Sequence, residues 1–115
     1  MSRQYGSLYA VVGIHPHEAD SVSEEAENII RELARENKVV AIGEIGLDYF
    51  KNFSQAKNQL PLFLSLIKLA KELNLPVVIH TREAQADTLR ILKDVLPQLE
   101  KKGIKFVFVS TLMNN

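Results

Sequence analysis

The sequence predicts an α/β protein built on a parallel sheet, and three observations carry that expectation. Four short runs rich in Val and Ile, residues 8–14, 39–43, 76–80 and 104–109, are nearly unbroken in hydrophobicity. Strands buried on both faces of a parallel sheet read this way. Their starts lie about thirty residues apart, the length of a βα unit. The gaps between them carry apolar residues at helical spacing. The order β-α-β-α-β-α-β follows, with right-handed crossovers.

Each element has its own local warrant. The first strand, residues 8–14, runs into G-I-H-P-H. The first helix, 23–36, sets Ala26, Ile29, Ile30, Leu33 and Ala34 on one face and charges on the other. Ser21 and Glu24 have capping-box spacing, and Ser23 offers an alternative N-cap. The second strand, 39–43, runs into G-E-I-G-L-D-Y. The second helix, 59–73, turns Leu60, Phe63, Leu64, Ile67 and Ala70 inward. Pro61 falls in its first turn, or at a kink if the helix starts near Ser54, and Asn74 and Pro76 stop it. The third strand, 76–80, ends in I-H-T-R-E. The third helix, 85–101, turns Leu89, Leu92, Val95, Leu96 and Leu99 inward, with Pro97 kinking or shortening it and Gly103 closing it. With no linker or low-complexity segment, residues 1–115 read as a single domain.

Composition narrows the function classes. A chain of 115 residues, 46% hydrophobic and 24% charged, has the make-up of an ordinary globular domain with a modest core. Fourteen basic and fourteen acidic residues cancel, so no basic field exists for bulk nucleic-acid binding. Any grip on phosphate must be local or come from bound metal. The absence of cysteine excludes disulfides and thiolate metal sites and fits a cytoplasmic chain. No secretory signal or membrane-length apolar run is visible, so no membrane partner is expected.

Polar residues gather just after the strands: His15 and His17 after the first, Glu44, Asp48 and Tyr49 after the second, His80, Arg82 and Glu83 at the third. In a parallel α/β sheet or barrel these ends open on one face, where active sites are built. All three histidines fall in this set. Imidazole nitrogens and carboxylate oxygens are the ligands of Zn²⁺, Mn²⁺ and related ions, so Glu44 and His80, on consecutive strands, are placed to share a metal. Arg82 suits a substrate phosphate or carboxylate. His15 and His17 share a face if the segment is extended, and either binds metal or holds a phosphate oxygen. Each residue also has a plainer reading. Glu44 could be a solvated loop acid, His80 a hydrogen-bonded core histidine, and His15 and His17 a turn around Pro16. Asp48 could be the acceptor of an Asx turn and Arg82 half of a surface ion pair.

G-I-H-P-H, then A-I-G-E-I-G-L-D-Y, then L-N-L-P-V-V-I-H-T-R-E-A resemble the TatD-type metal-dependent hydrolases. Order and separation match, as does the intervening helix N-Q-L-P-L-F-L-S-L-I-K-L-A-K-E. The resemblance implies a partial TIM-type (β/α) barrel of about four parallel strands, and a divalent metal centre (Mg, Mn or Zn, two ions in the complete family site) that cleaves phosphodiester bonds of DNA. It makes Glu44 and His80 the catalytic metal ligands, with Glu44 bridging the ions. His15, His17, Asp48 and Arg82 become substrate-phosphate or supporting residues. Gly43 and Gly46 would let backbone pass close to the site.

The match departs from the family at both ends. A full barrel takes about 250 residues and eight βα units. The opening H-x-H has no counterpart in residues 1–7, and the fourth strand runs into S-T-L-M-N-N where a histidine is expected. The final-strand aspartate has no counterpart either. The chain is thus expected to be a fragment or truncated product, to complete its barrel with a second copy or another polypeptide, or to fold alone as an open sheet. Two other functions compete with the deoxyribonuclease: a metal hydrolase of a non-DNA ester or amide, and a non-catalytic α/β module that binds a partner through its open edges. A flavodoxin-like nucleotide binder is disfavoured because no Gly-rich phosphate loop follows the first strand.

Overall fold

The computed structural model describes residues 8–110. Residues 1–7, expected to lack the family's opening histidines, and the tail 111–115 lie outside the described residues. The elements run β1 (Ala10–Val12), a 3₁₀ turn (Pro16–Ser21), α1 (Glu24–Leu33), β2 (Val39–Asp48), α2 (Ala56–Leu73), β3 (Val77–Arg82), α3 (Gln85–Lys101) and β4 (Phe106–Ser110). All pairings are parallel, in the order β1-β2-β3-β4. A flavodoxin-like sheet reverses its strand order at a switch point. This sheet never does, so it winds one way as a barrel segment does, which is the partial TIM-type architecture expected.

The helix-covered face holds the core. Along β3, Val77, Ile79 and Thr81 are buried there, and Thr81 Oγ1 meets Thr88 Oγ1 of α3 at 3.1 Å. Against them pack Ile42, Ile45 and Leu47 from β2, Phe63, Leu66, Ile67 and Ala70 from α2, and Ile91, Leu92 and Leu99 from α3. Alternation sends Val78, His80 and Arg82 to the opposite face.

Several boundaries differ from expectation, each for a local reason. β2 does not stop at Gly43 but continues through both glycines to Asp48. Between Ile42 and Ile45 its register slips by one residue against β3, which is a β-bulge. An added Cβ at Gly46, where φ is +146°, would lie 1.9 Å from the His80 carbonyl oxygen. Only glycine lets β2 and β3 stay paired there, so the expected close approach of backbone to the site is real. α1 is capped by Ser23, whose Oγ accepts from Ala26 N at 3.0 Å, rather than by Ser21. It is shorter than expected and buries none of its own residues. Ile29 and Leu33 are exposed, because no element among the described residues covers that face. Leu64 and Leu89 are exposed for the same reason. α2 starts at Ala56, so Pro61 lies inside it, and Pro97 lies inside an α3 that runs its full expected length. Asn74, at φ 55°, ends α2 as expected. Among the described residues no helix is long and apolar enough to cross a membrane.

Candidate metal centre at the strand ends

The structure brings His15, His17, Glu44, Asp48 and His80 together at the C-terminal ends of β1, β2 and β3. Each arrives by a different local device. Of the two readings of His15 and His17, an extended segment or a turn around Pro16, the structure has the turn. Pro16 starts a 3₁₀ turn, and His15 is its N-cap, with Nδ1 accepting from His17 N at 3.1 Å. The two rings therefore pack edge to face, with centroids 4.2 Å apart, rather than sharing a strand face. His15 also lies 4.6 Å from the His80 ring. Glu44 sits in the bulge of β2 and is exposed between buried neighbours. A bulge beside a site commonly re-aims a side chain in this way.

Asp48 organises the cluster. Its side chain is fully buried, and Oδ2 lies 2.7 Å from His17 Nε2 and 2.9 Å from His80 Nε2. Oδ1 accepts from Phe50 N at 3.0 Å, so the Asx turn is present as well. Burial pushes the Asp48 carboxyl up. The hydrogen bonds from His80, His17 and the Phe50 amide together outweigh it, and the net shift is downward. The carboxylate is thus kept ionised and acts as an acceptor. With Nε2 of His80 occupied by Asp48, Nδ1 faces Glu44 Oε1 at 3.6 Å.

This donor set fits a divalent cation. Nδ1 or Nε2 of His15 and of His80, with a carboxylate oxygen of Glu44, supply ligand atoms all within 4.8 Å of one another. Ligand atoms that share one tetrahedral ion stand roughly 3.3–3.5 Å apart, close to the separation of His80 from Glu44. Three protein ligands are what a catalytic zinc-type site usually has. His15 stands third in this group beside Glu44 and His80, where the resemblance had placed it among the substrate-phosphate or supporting residues. Its imidazole is held below its ordinary pKa by burial first, then by the neighbouring His80 and His17, which favours the neutral ring. Because its acceptor Nδ1 already takes the His17 amide, ligation by His15 would require that bond to be given up. A carboxylate behind a ligating histidine is the usual device for fixing its tautomer and ring orientation, and Asp48 stands in that place behind His80.

Arg82 does not join the metal cluster. Its guanidinium lies over the Phe50 ring, 3.8 Å from the centroid. Among the described residues its Nε is a buried side-chain donor without an acceptor. Burying such a donor unpaired is costly, and an anionic ligand would relieve that cost.

Supporting residues around the cluster hold the site in place. Gln59 is fully buried. Its Oε1 accepts from Asp48 N, and its Nε2 donates to the carbonyls of Asp48 and Ser54, each at 2.8 Å. It clamps the end of β2. Its signal in the sequence is helical spacing, since Gln59, Phe63 and Ala70 fall on one face, but a polar residue on an apolar face is easily discounted. Tyr49 ties β2 to α3 by donating to Asp87 Oδ2 at 2.7 Å. Burial first, then that hydrogen bond, raises the phenol pKa well beyond its usual range. Ser54 ties the loop after β2 to the 3₁₀ turn: its hydroxyl donates to the His17 carbonyl at 2.7 Å and accepts from Asp20 N at 3.0 Å.

Comparison with known proteins shows the family and the fold. The family model described as TatD related DNase matches residues 1–113. An uncharacterized metal-dependent hydrolase, YabD of Bacillus subtilis, is 46% identical over 94 residues, covering 82% of this chain and 37% of the relative. The 3′-5′ ssDNA/RNA exonuclease TatD of Escherichia coli K12 is 38% identical over 99 residues, covering 86% of this chain and 38% of the relative. Among solved structures, the TatD homolog YJJV of E. coli K12 superposes with a TM-score of 0.74 at 31% identity, covering 90% of this chain and 48% of that one. A TatD family hydrolase of Entamoeba histolytica gives 0.73 at 31% identity, covering 92% and 37%. The chain therefore spans less than half the length of these relatives. With the family match running over almost every residue and the same fold in two family members, this chain belongs to the TatD-related DNase family of metal-dependent hydrolases.

Proposed function

We propose that this chain carries part of a divalent-metal-dependent phosphodiesterase site that acts on DNA. The observation that supports this most directly is the His15–Glu44–His80 donor cluster, with the buried Asp48 carboxylate behind His80. In this reading His80 Nδ1, Glu44 and His15 hold the ion, and Asp48 keeps His80 Nε2 protonated and the ring aimed. Arg82, on the same β3 face as His80, gives its unpaired Nε–H to a phosphate oxygen. His17, bonded to the same Asp48 oxygen as His80, is a support that helps hold that carboxylate in place. A divalent ion bound in such a site supplies Lewis-acid polarisation of the phosphoryl group and water of lowered pKa. The nitrogen-and-oxygen donor set suits Zn²⁺ or Mn²⁺, and Mg²⁺ if most of its ligands are water. A cysteine-free chain suits the reducing cytoplasm, the compartment this reading assigns to it.

The test is cleavage of a labelled DNA oligonucleotide with Mg²⁺ or Mn²⁺, alongside calorimetric metal titration. Cleavage and metal binding both lost in Glu44→Gln support the reading. A stoichiometry of two ions per chain supports a bridging Glu44, and one ion restricts it to a single metal. Metal binding that Glu44→Gln leaves unchanged sinks the assignment.

A second reading rests on different residues. Val107 on β4 and Val11 on β1, the two edge strands, are exposed, as are Leu89 and Phe108 around a groove of about 660 Å³ between α3 and β4. Open edges with exposed apolar residues are templates for pairing. We infer self-association, or binding of a second chain, through these edges. Light scattering that reports a monomer at all concentrations would count against it.

A further inference from the structure

The loop after β2 carries an aromatic side chain that the core does not use. Phe53 is 56% exposed, although its neighbour Ser54 is buried. A single exposed apolar residue is ordinary, but this one is held in place. Lys51 and Asn52, at φ 59° and 49°, turn the chain back toward the site. Ser54 then pins the loop to the His17 carbonyl and to Asp20 N. The Phe53 ring rests on the His17 ring with centroids 4.5 Å apart and planes at 48°. His17 in turn bonds the same Asp48 oxygen as His80. The ring is therefore fixed at the mouth of the donor cluster with more than half its surface open.

Its surroundings name the ligand class. Phe50, in the same loop, already has the Arg82 guanidinium over its face, and Lys51 Nζ lies 5.4 Å from its centroid. The rim thus pairs two cations with one uncovered aromatic ring. Single-stranded nucleic-acid sites combine cations that track the phosphates with aromatic faces that stack the bases. A base inside a duplex is stacked on both sides and cannot offer a face to a ring at the rim.

We propose that Phe53 is a stacking platform for one unpaired nucleobase of a single strand whose phosphate lies at the His15–Glu44–His80 cluster. This rests on the phosphodiesterase reading above. The platform acts on binding of that one base rather than on the chemical step.

The experiment uses the full chain and a series of single-stranded oligonucleotides. Each carries one abasic sugar, moved stepwise inward from either end. Cleavage is followed with Mn²⁺, and binding is followed by anisotropy with Ca²⁺. One abasic position should raise the KM of the parent chain about tenfold, the scale of one base–aromatic stack, with little change in kcat. Phe53→Leu should raise KM on the intact strand by a similar factor and become indifferent to that abasic position. Phe53→Trp should restore the parent profile. Equal losses on intact and abasic strands in Phe53→Leu would mean that the ring only props His17, and would overturn the platform. A flat abasic profile for the parent overturns it without any variant. If the parent cleaves but shows such a profile, the platform falls and the phosphodiesterase reading stands. If it neither binds nor cleaves single strands with any metal, both fall together.

Discussion

The middle of the sheet and its two edges are built on opposite terms. Where β2 meets β3, polar groups are buried and almost all are answered. Gln59 makes three bonds to backbone, and Asp48 serves two histidines and an amide. At β1 and β4 the residues are apolar and left in the open, with Val11, Val107 and Phe108 all exposed. Burying polar groups is tolerated only when every partner is present. Exposing apolar ones is tolerated with little penalty in the folded chain alone. The centre is therefore intolerant of change and self-sufficient, while the edges are tolerant and incomplete.

That contrast can be broken by substitution. The largest effect is expected at the centre from Gly46→Ala, whose Cβ would meet the His80 carbonyl oxygen in a backbone conformation that alanine rarely adopts. A loss of roughly 3 kcal/mol or more is expected, read from chemical denaturation. If it unfolds like the parent, the close approach of β2 to β3 is wrong. Gln59→Leu strips partners from two carbonyls and one amide and should cost about 3 kcal/mol. Near-parental stability in that variant would mean that water replaces the clamp. Tyr49→Phe removes one bond between β2 and the half-exposed Asp87, and about 1 kcal/mol should be lost.

At the edge, Leu89→Gln should change stability by no more than about 0.5 kcal/mol, because the side chain has little to lose. A larger loss in a concentration-dependent melt would show that the edge is covered in solution. The smallest effect should come from Asp20→Asn at the margin of the site. Hydrogen bonds from Asn58 and then the Gln55 amide hold the Asp20 carboxyl below its ordinary value. A depressed folded-state value stabilises above the ordinary carboxylate range and loses that contribution as pH falls through the folded value. The variant should therefore lose that small contribution at neutral pH, converge with the parent in acid, and show a flatter acid limb of stability below about pH 4.

Sensitivity at the site also separates supports from ligands. Asp48→Asn should weaken metal binding about tenfold to a hundredfold, the usual cost of losing a carboxylate behind a ligating histidine. Retained affinity would mean that His80 needs no help in orienting.

Much of this architecture is legible in the sequence. Unbroken Val and Ile runs at βα spacing report strands buried on both faces, and backbone pairing needs no more than that. The residues at the strand ends, His15, Glu44, Asp48, His80 and Arg82, are legible because a parallel sheet brings every C-terminal strand end to one side. Other features depend on contacts across the chain. The bulge that turns Glu44 outward comes from the register between β2 and β3. His15 joins Glu44 and His80 because Pro16 begins a helical turn rather than a strand. Gln59 reaches Asp48 only once α2 has docked. Ile29, Leu33, Leu64 and Leu89 carry the pattern of buried faces and yet are exposed. Periodicity records which face is apolar, and only the packed neighbours decide whether anything covers it. Local composition and spacing determine which elements form and which ends carry chemistry. The tertiary structure alone decides which of those groups meet, because distances between side chains are set by register, bulges and docking.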